Sequence, residues 1–598
     1  MAATMPEFRT LPEALRHHAT HRGDYPAFIF RHPQGARHVL TFRQVYRLGG
    51  RFAAVLRAGG DAGRGRLVLN ALPNTPERVV CEVGVSLSGA ASVNAQCLLA
   101  DGSDLLRTVR SSRASALLVD PGASHSPWKV LEKLLTLAED GTVVATSVDL
   151  PHLKRIYLVT RRTSPPLPAP LPPRSAEEEE KEEVKEEEDF LSQLEAASDW
   201  FEADDVTSDD VCSVFTTSGS AGFSKLVVHT HGGLAQAVLR HNPVLEGLRG
   251  DEVEFSMAPL GWLGGYAGNT LLSGTTRVLC DTRSGLPPDV VDFTLKAIEE
   301  ENVSLTFVPA PRLDSLLRRV RQKRATSRSE GGSGNSSPQG DALQIVQRIT
   351  LGGQPITRAL VRSARLLARS VLVLYGMTES FTVSTLLVRD PDTYRDFDAG
   401  DPVKGTEVRV VGGGDGDDDD EKEDTPLAPG ETGKILFKRP VMMKEYLHDP
   451  DATAAAFTRH GFLRTGDVGR LDDRGHVIVE GRGSDAIMRG PYIFYPGWLE
   501  ERIRACPGVR DAMVVGVPDP TANEELCACL TLQSDGMTVQ QVQEFVEKDI
   551  VASAEEPLSP RPRHYLAFDA FPVTTTGKPH RKVVKQEATA RLSTSSDD

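Results

Sequence analysis

Residues 216–231 read TTSGSAGFSKLVVHTH, and the reading of the whole chain turns on this stretch. Glycines, hydroxyls and small residues crowd in front of one cation, Lys225, between two β-rich runs at 211–215 and 226–229. Glycine has no Cβ to hold a ligand away from the backbone. Successive backbone N–H groups with hydroxyls beside them form a concavity that suits an anion, and a lysine neutralises its charge. A polyphosphate fits that description. An ordinary turn between two strands fits it too, and the stretch alone leaves both readings open. Spacing excludes a Walker A loop, which needs Gly, four residues, then Gly-Lys-Ser/Thr. Here Phe223 and Ser224 separate Gly222 from Lys225, and Leu226 follows.

Further segments in a fixed order decide between the two readings. They are Leu351–Gly352–Gly353–Gln354–Pro355, Tyr375–Gly376–Met377–Thr378–Glu379, Arg464–Thr465–Gly466–Asp467, Gly481–Arg482 and Thr576–Gly577–Lys578. Together with the opening loop, this collinear series resembles the adenylate-forming superfamily: acyl-CoA synthetases, peptide-synthetase adenylation domains and beetle luciferases. The family's phosphate loop runs Thr-Ser-Gly-Ser/Thr-Thr-Gly, any residue, Pro-Lys-Gly. The resemblance extends over nearly all of the chain, 11–585.

The resemblance implies a reaction in two halves. A substrate carboxylate attacks the α-phosphate of ATP, giving an acyl-adenylate and pyrophosphate. A thiol, that of CoA in the acyl-CoA synthetase branch, then displaces AMP. Transfer to phosphorus is mainly a matter of positioning and charge neutralisation, so donors, a cation and a metal carboxylate are needed rather than a Ser/His/Asp triad. By resemblance, Thr217, Ser218, Gly219, Ser220, Gly222 and Lys225 cradle the phosphates. Gly353, Gln354 and Pro355 meet the adenine, Tyr375 stacks on it, and Gly376 belongs to the same nucleotide-binding set. Asp467 accepts the ribose hydroxyls, and Arg482 supports ribose or phosphate. Thr378 contacts the α-phosphate, Glu379 holds Mg²⁺, and Lys578 bridges α-phosphate and carboxylate. The run Pro259–Leu–Gly–Trp–Leu–Gly–Gly–Tyr266 resembles the segment lining the acid pocket, with Trp262, Gly264 and Tyr266 as its lining and His229 and His231 at its mouth. An aromatic among glycines is equally well read as plain packing.

Some positions depart from the family pattern. Ala221 stands where a Thr is usual, which removes one donor to a charged group, an effect of roughly 1.5–3 kcal/mol. Leu226 replaces the glycine after the lysine. Ser484 takes the place of the hinge Asp or Lys, and Pro491 falls at a glycine near the thiol tunnel, where proline cannot take a left-handed turn unless a one-residue shift brings Gly490 there instead. These departures keep two other outcomes open: transfer to a carrier-protein thiol, or a homologue that binds nucleotide or acyl ligand without turnover.

Composition sets outer bounds. The chain has 598 residues and a net charge of −15. Residues 177–189 carry −8 and residues 415–424 carry −7, so these two runs hold the whole excess and the remainder is balanced. Like-charge blocks of this kind are usually solvated. No basic stripe with interleaved aromatics supports nucleic-acid binding, and no apolar run reaches the ~18 residues of a membrane helix. The seven scattered cysteines fit a reducing compartment, the cytoplasm or alternatively mitochondria, and Cys527 and Cys529 lack a metal or redox spacing. Oligomeric state is not readable.

Periodicity predicts helices over 11–18, 41–58 and 78–88 and strands over 66–72 and 116–120, an alternation that argues for α/β layering. Strands are expected over 407–411, 433–438 and 476–480. A compact unit follows, with helices at 498–506 and 539–546 and strands at 510–517 and 526–532. The expected architecture is α/β: a large N-terminal domain of layered sheets and helices, residues 1–481, and a small mobile α+β lid, residues 482–598. Residues 481–484 form the hinge, and surface insertions fall at about 162–190, 326–340 and 412–425.

Overall fold

The computed structural model describes residues 7–95, 103–124, 126–138, 141–146, 150–161, 189–217, 225–239, 252–308, 310–330, 343–412, 425–485, 487–489, 492–494, 496–519, 523–533, 536–550, 561–574 and 579–594. The chain is mixed α/β and divides into two units. The proline-rich and acidic stretch at 162–188 and the acidic run at 413–424 lie outside the described residues. Of the loop expected over 326–340, the first five residues belong to the helix Ala310–Glu330, and the rest lie outside the described residues. No Gly or Pro interrupts 313–330, and Arg, Gln, Lys and Ala there are good helix formers.

The first unit comprises residues 1–216, 226–307 and 443–448. Its seven-stranded sheet runs in the order Glu445–Tyr446, Leu226–Thr230, Val211–Thr216, Ala91–Asn94, Leu67–Asn70, Ala116–Val119, Arg155–Leu158. The last five strands are parallel to one another. A core of Leu69, Val93, Leu117, Ile156, Val214, Leu226 and Val228 lies on one face, each such side chain contributing about 1.5–3 kcal/mol when fully buried. The helices Phe42–Ala58 and Pro76–Leu87 start at Thr41 and Thr75, whose hydroxyls accept from the third residue on. They meet closely because Gly49 and Gly84 lie at the crossing: an added Cβ would come within 2.3 Å of Val83 and 2.6 Å of Phe52 respectively. A second parallel set, Leu305–Phe307, Val253–Ser256, Thr276–Cys280 and Pro26–Arg31, ends in the antiparallel Arg37–Thr41.

The second unit comprises residues 217–225, 308–442 and 449–598. Val346–Gly352 pairs in parallel with Ala368–Met377, which turns back as the antiparallel Phe381–Val388. Between the parallel strands lies the helix Arg358–Leu367, capped by Thr357. An antiparallel sheet follows in the order Glu407–Val411, Gly433–Lys438, Leu463–Leu471, Val477–Arg482. Residues beyond 486 build a further sheet on Val509–Asp519 and Asn523–Leu532. Alternation along these strands separates two cores. Val514, Leu526, Ala528 and Leu530 face Leu499, Ile503 and Val542, while Met513, Val515, Cys527 and Cys529 face Phe568, Phe571 and Val584. The Cys-x-Cys spacing is therefore one buried face of a strand, and no group of three or more metal-ligating side chains occurs among the described residues. No described helix is long and apolar enough to cross a membrane.

Candidate active site

In the second unit the motif residues collect where two parallel strands end. Gly352 pairs with Leu374, so Gly353 leaves the sheet where the parallel pairing ends, at its carboxyl end, the usual place for a ligand in an α/β sheet, while Tyr375 continues in its strand, paired with Ser384. Gly353 sits at φ +76°, a left-handed conformation that glycine adopts without a Cβ clash. Gln354 and Pro355 are exposed beside it.

A pre-formed hydrogen-bonded group surrounds Asp467. The Tyr375 hydroxyl donates to Asp467 Oδ2 at 2.6 Å, and Arg482 Nε reaches Oδ1 at 3.0 Å. Register explains the second contact: Asp467 and Arg482 face each other across an antiparallel pair. Thr465 prepares the turn. Its hydroxyl accepts from the Asp467 N–H at 2.9 Å and donates to the Ile435 carbonyl at 2.7 Å, while Gly466 takes φ +72° and Arg482 Nη1 donates to the Thr465 carbonyl at 2.9 Å. Burial raises the Asp467 carboxyl above the usual carboxylate value, with Arg482 and Tyr375 pulling it back. Burial, with the Asp467 charge second, holds the Tyr375 phenol protonated, consistent with its donor role. A carboxylate has about four lone-pair positions. With one oxygen on Tyr375 and the other on Arg482, capacity remains for a ribose diol.

Thr378, Glu379 and Ser380 form the turn of the hairpin between Ala368–Met377 and Phe381–Val388. Glu379 is 7% exposed. Gly376 is required there, since a Cβ would lie 2.2 Å from the Phe381 carbonyl oxygen. The neck of the phosphate loop is zipped shut. The Thr217 N–H donates to the Lys225 carbonyl at 2.9 Å, and the Lys225 N–H donates to the Thr217 hydroxyl at 3.1 Å. Ser218, Gly219, Ser220, Ala221 and Gly222 lie outside the described residues, as do Lys578, Gly490 and Pro491. Leu226, the residue in place of the family's glycine, is 4% exposed and its side chain belongs to the first unit's sheet core. It fills the interior of that sheet.

The acid-pocket candidates belong to the first unit and are mostly interior. Tyr266 is 1% exposed; its hydroxyl accepts from Ser213 at 2.7 Å, and its ring stands edge-on to Phe215 at 5.1 Å. His229 is fully buried, with its ring 6.0 Å from the same Phe215. His231 accepts from the Leu11 N–H through Nδ1 at 3.3 Å, and burial pulls it down to about 4, so the ring is neutral as that hydrogen bond requires. Trp262 is half-buried in a turn closed by its own N–H to the Pro259 carbonyl, 3.0 Å. Gly264 is exposed, with open space where a Cβ would be. Arg277, bound to Glu254 at 2.9 Å, anchors this segment by donating to the carbonyls of Gly265 at 2.9 Å and Tyr266 at 3.2 Å. Sequence reasoning did not single out Arg277, Ser213 or Arg439. Each acts on a partner distant along the chain or on a backbone carbonyl, and neither leaves a local pattern.

Comparison with known proteins bears on these arrangements. The profile of the AMP-binding enzyme family matches residues 15–447, and that of the AMP-binding enzyme C-terminal domain matches residues 499–578. A feruloyl-CoA synthase from Amycolatopsis is 32% identical over 338 residues, 56% of this chain and 62% of the relative, which is under two thirds of its length. A long-chain-fatty-acid–CoA ligase from Salmonella typhimurium is 24% identical over 605 residues, covering 98% of this chain and 96% of the relative. The crystal structure of an anthranilate CoA ligase in complex with anthranoyl-AMP superposes with a TM-score of 0.74 at 20% identity, over 99% of this chain and 100% of that one, and shows the shared fold. With most of its length matched by the family profile, the chain belongs to the AMP-binding enzyme family, the adenylate-forming superfamily.

Proposed function

We propose that this protein is an AMP-forming acid–thiol ligase that activates an apolar carboxylic acid with ATP and passes the acyl group to CoA. The observation that carries the reading is Asp467, on an antiparallel strand, held between Arg482 and Tyr375, the latter just past the end of the parallel pairing with Val346–Gly352: a carboxylate pre-oriented for a ribose diol. In the first half-reaction a carboxylate oxygen bonds to the α-phosphorus, and the bond from that phosphorus to the bridging oxygen breaks, releasing pyrophosphate. In the second, the thiol sulfur bonds to the acyl carbon, the acyl–oxygen bond to AMP breaks, and the thiol proton goes to solvent. Lys225 and the neck of its loop place a cation at the phosphates, and Lys578 offsets the charge shared between carboxylate and α-phosphate.

Glu379, a single largely buried carboxylate with Thr378 beside it, fits Mg²⁺, which takes one or two protein carboxylates and completes its shell with phosphate oxygens and water. When bound, the ion would neutralise phosphate charge. We propose the domain boundary at residues 481–482, with 481–484 as the hinge.

For the acid, a fatty acid is the first choice and an aryl acid the second. Names of the relatives include a long-chain fatty-acid ligase and a feruloyl ligase, and the segment around Trp262 offers a half-buried indole beside an open glycine. Pro491 in place of a glycine motivates one further reading, in which a carrier-protein thiol replaces CoA. ATP–pyrophosphate exchange across fatty and aryl acids is expected to give a signal with at least one acid, and product analysis with and without CoA identifies the acceptor. No exchange with any acid by folded protein contradicts the proposal.

A further inference from the structure

Arg439 stands outside every motif, yet it grips the turn that carries Thr378 and Glu379. It follows the strand Gly433–Lys438 and is 5% exposed. Its Nη1 donates to the Ser380 carbonyl at 3.0 Å and also to the Thr382 carbonyl. Nε and Nη2 find no hydrogen-bond partner among the described residues. Burial alone pulls the guanidinium down to about 10, with no carboxylate acting on it. A buried arginine without a carboxylate is costly, so its retention calls for a reason besides stability.

The backbone it holds supplies that reason. The two carbonyls flank Phe381, which sits at φ +63°, a left-handed conformation that costs a bulky side chain of order 1–3 kcal/mol and persists only where neighbours enforce it. The hairpin register slips at the same place: Tyr375 faces Ser384, whereas Gly376 faces Thr382. Without that slip and the left-handed residue, the turn through Thr378, Glu379 and Ser380 would regularise and re-aim its side chains.

We infer that Arg439 is a positioning residue for Mg²⁺·ATP: by bridging the carbonyls on either side of Phe381 it locks the strained turn that presents Thr378 and Glu379 to the metal-bound phosphates. The inference rests on the proposed function for its ligand but not for its mechanics. Arg439→Met removes the donors and keeps an apolar stem, Arg439→Lys keeps a cation able to bond both carbonyls, and Phe381→Gly removes the penalty of the left-handed residue.

Hydrogen-exchange mass spectrometry on peptides spanning 374–384 reads the lock directly, because the Ser380 N–H closes the turn on the Met377 carbonyl at 3.1 Å. Calorimetric titration with Mg²⁺·ATP reads its consequence. In Arg439→Met we expect protection of this peptide to fall about tenfold and Mg²⁺·ATP binding to weaken by a similar factor. Arg439→Lys should retain both, and adding Phe381→Gly to Arg439→Met should restore both, which a purely space-filling role would not produce. Unchanged protection in Arg439→Met overturns the lock. Lost protection with unchanged Mg²⁺·ATP affinity overturns its link to the site. If the wild-type protein exchanges pyrophosphate with no acid, the functional reading fails by itself, and the exchange data still decide what Arg439 does.

Discussion

The nucleotide group of the second unit and the acid-segment group of the first were equally prominent as motifs but are built in opposite ways. Around Asp467, side chains hold one another with polar groups left over: Tyr375 and Arg482 each take one carboxylate oxygen, Gly353 and Gln354 stay exposed, and Thr465 and Gly466 fix the backbone. Around Tyr266 the polar groups are spent inside the fold. Its hydroxyl is bound to Ser213, His231 to the N-terminal helix, and His229 is fully buried. On the proposed reading, conspicuous residues in the first group meet a ligand. Those in the second hold the segment that would meet one, which leaves the half-buried Trp262 and the open Gly264 as its exposed parts.

If that contrast is right, substitutions in the two groups should be read by different instruments. The largest effect is expected in the second unit. Lys578→Ala or Asp467→Ala should slow acid-dependent pyrophosphate exchange by about a thousandfold, in line with removal of a group that meets developing or bound charge; thermal unfolding should change little in Lys578→Ala and drop in Asp467→Ala, which leaves the Tyr375 hydroxyl without its acceptor. Restoring the family's glycine at Leu226 should do the reverse. Leu226→Gly empties a sheet-core position and should cost about 4 kcal/mol by denaturant unfolding, with no gain in ATP affinity. A gain in affinity would show that Leu226 burdens the loop after all.

Next comes acid sensitivity of the first unit. Burial pulls both His18 and His231 down to about 4, against 6.5 in the unfolded chain. The unfolded state therefore takes up protons between those values while the folded state does not. Stability is whole above pH ~6.5 and is lost as pH falls toward ~4, by about 2 kcal/mol per ring between pH 7 and 5. His231→Asn, whose Oδ1 can accept from Leu11, should remove one ring's share of that slope in unfolding measured against pH. The smallest effect is expected for Tyr266→Phe. Losing the acceptor of Ser213 should lower stability by about 1 kcal/mol and leave the order of acid preference unchanged. A reordered acid panel would move Tyr266 from support to pocket wall.

Much of this architecture is legible in the sequence. The strand at 433–438 has the bounds read from its alternation, and the helix read over 41–58 begins one residue later because Thr41 is its cap. Strong periodicity and caps are local, so they survive in sequence. The Tyr375, Asp467 and Arg482 positions were legible as motifs, but the hydrogen bonds joining them were not, since cross-strand register sets them. The interior fate of Tyr266 and Leu226 was hidden for a related reason. An aromatic near glycines, or a leucine after a lysine, looks alike on either side of a strand until partners fix which face is inward. Arg439 was hidden most completely, because its partners are carbonyls, which carry no side-chain signature.

The central claim is that the group around Asp467 serves acid activation by ATP. Its most direct measurement is acid-dependent ATP–pyrophosphate exchange, with AMP and thioester quantified together when CoA is present. The account predicts exchange with at least one apolar acid, AMP and thioester formed in equal amounts, and loss of exchange in Asp467→Ala protein that remains folded. Exchange absent with every acid, or undiminished in Asp467→Ala, would contradict it.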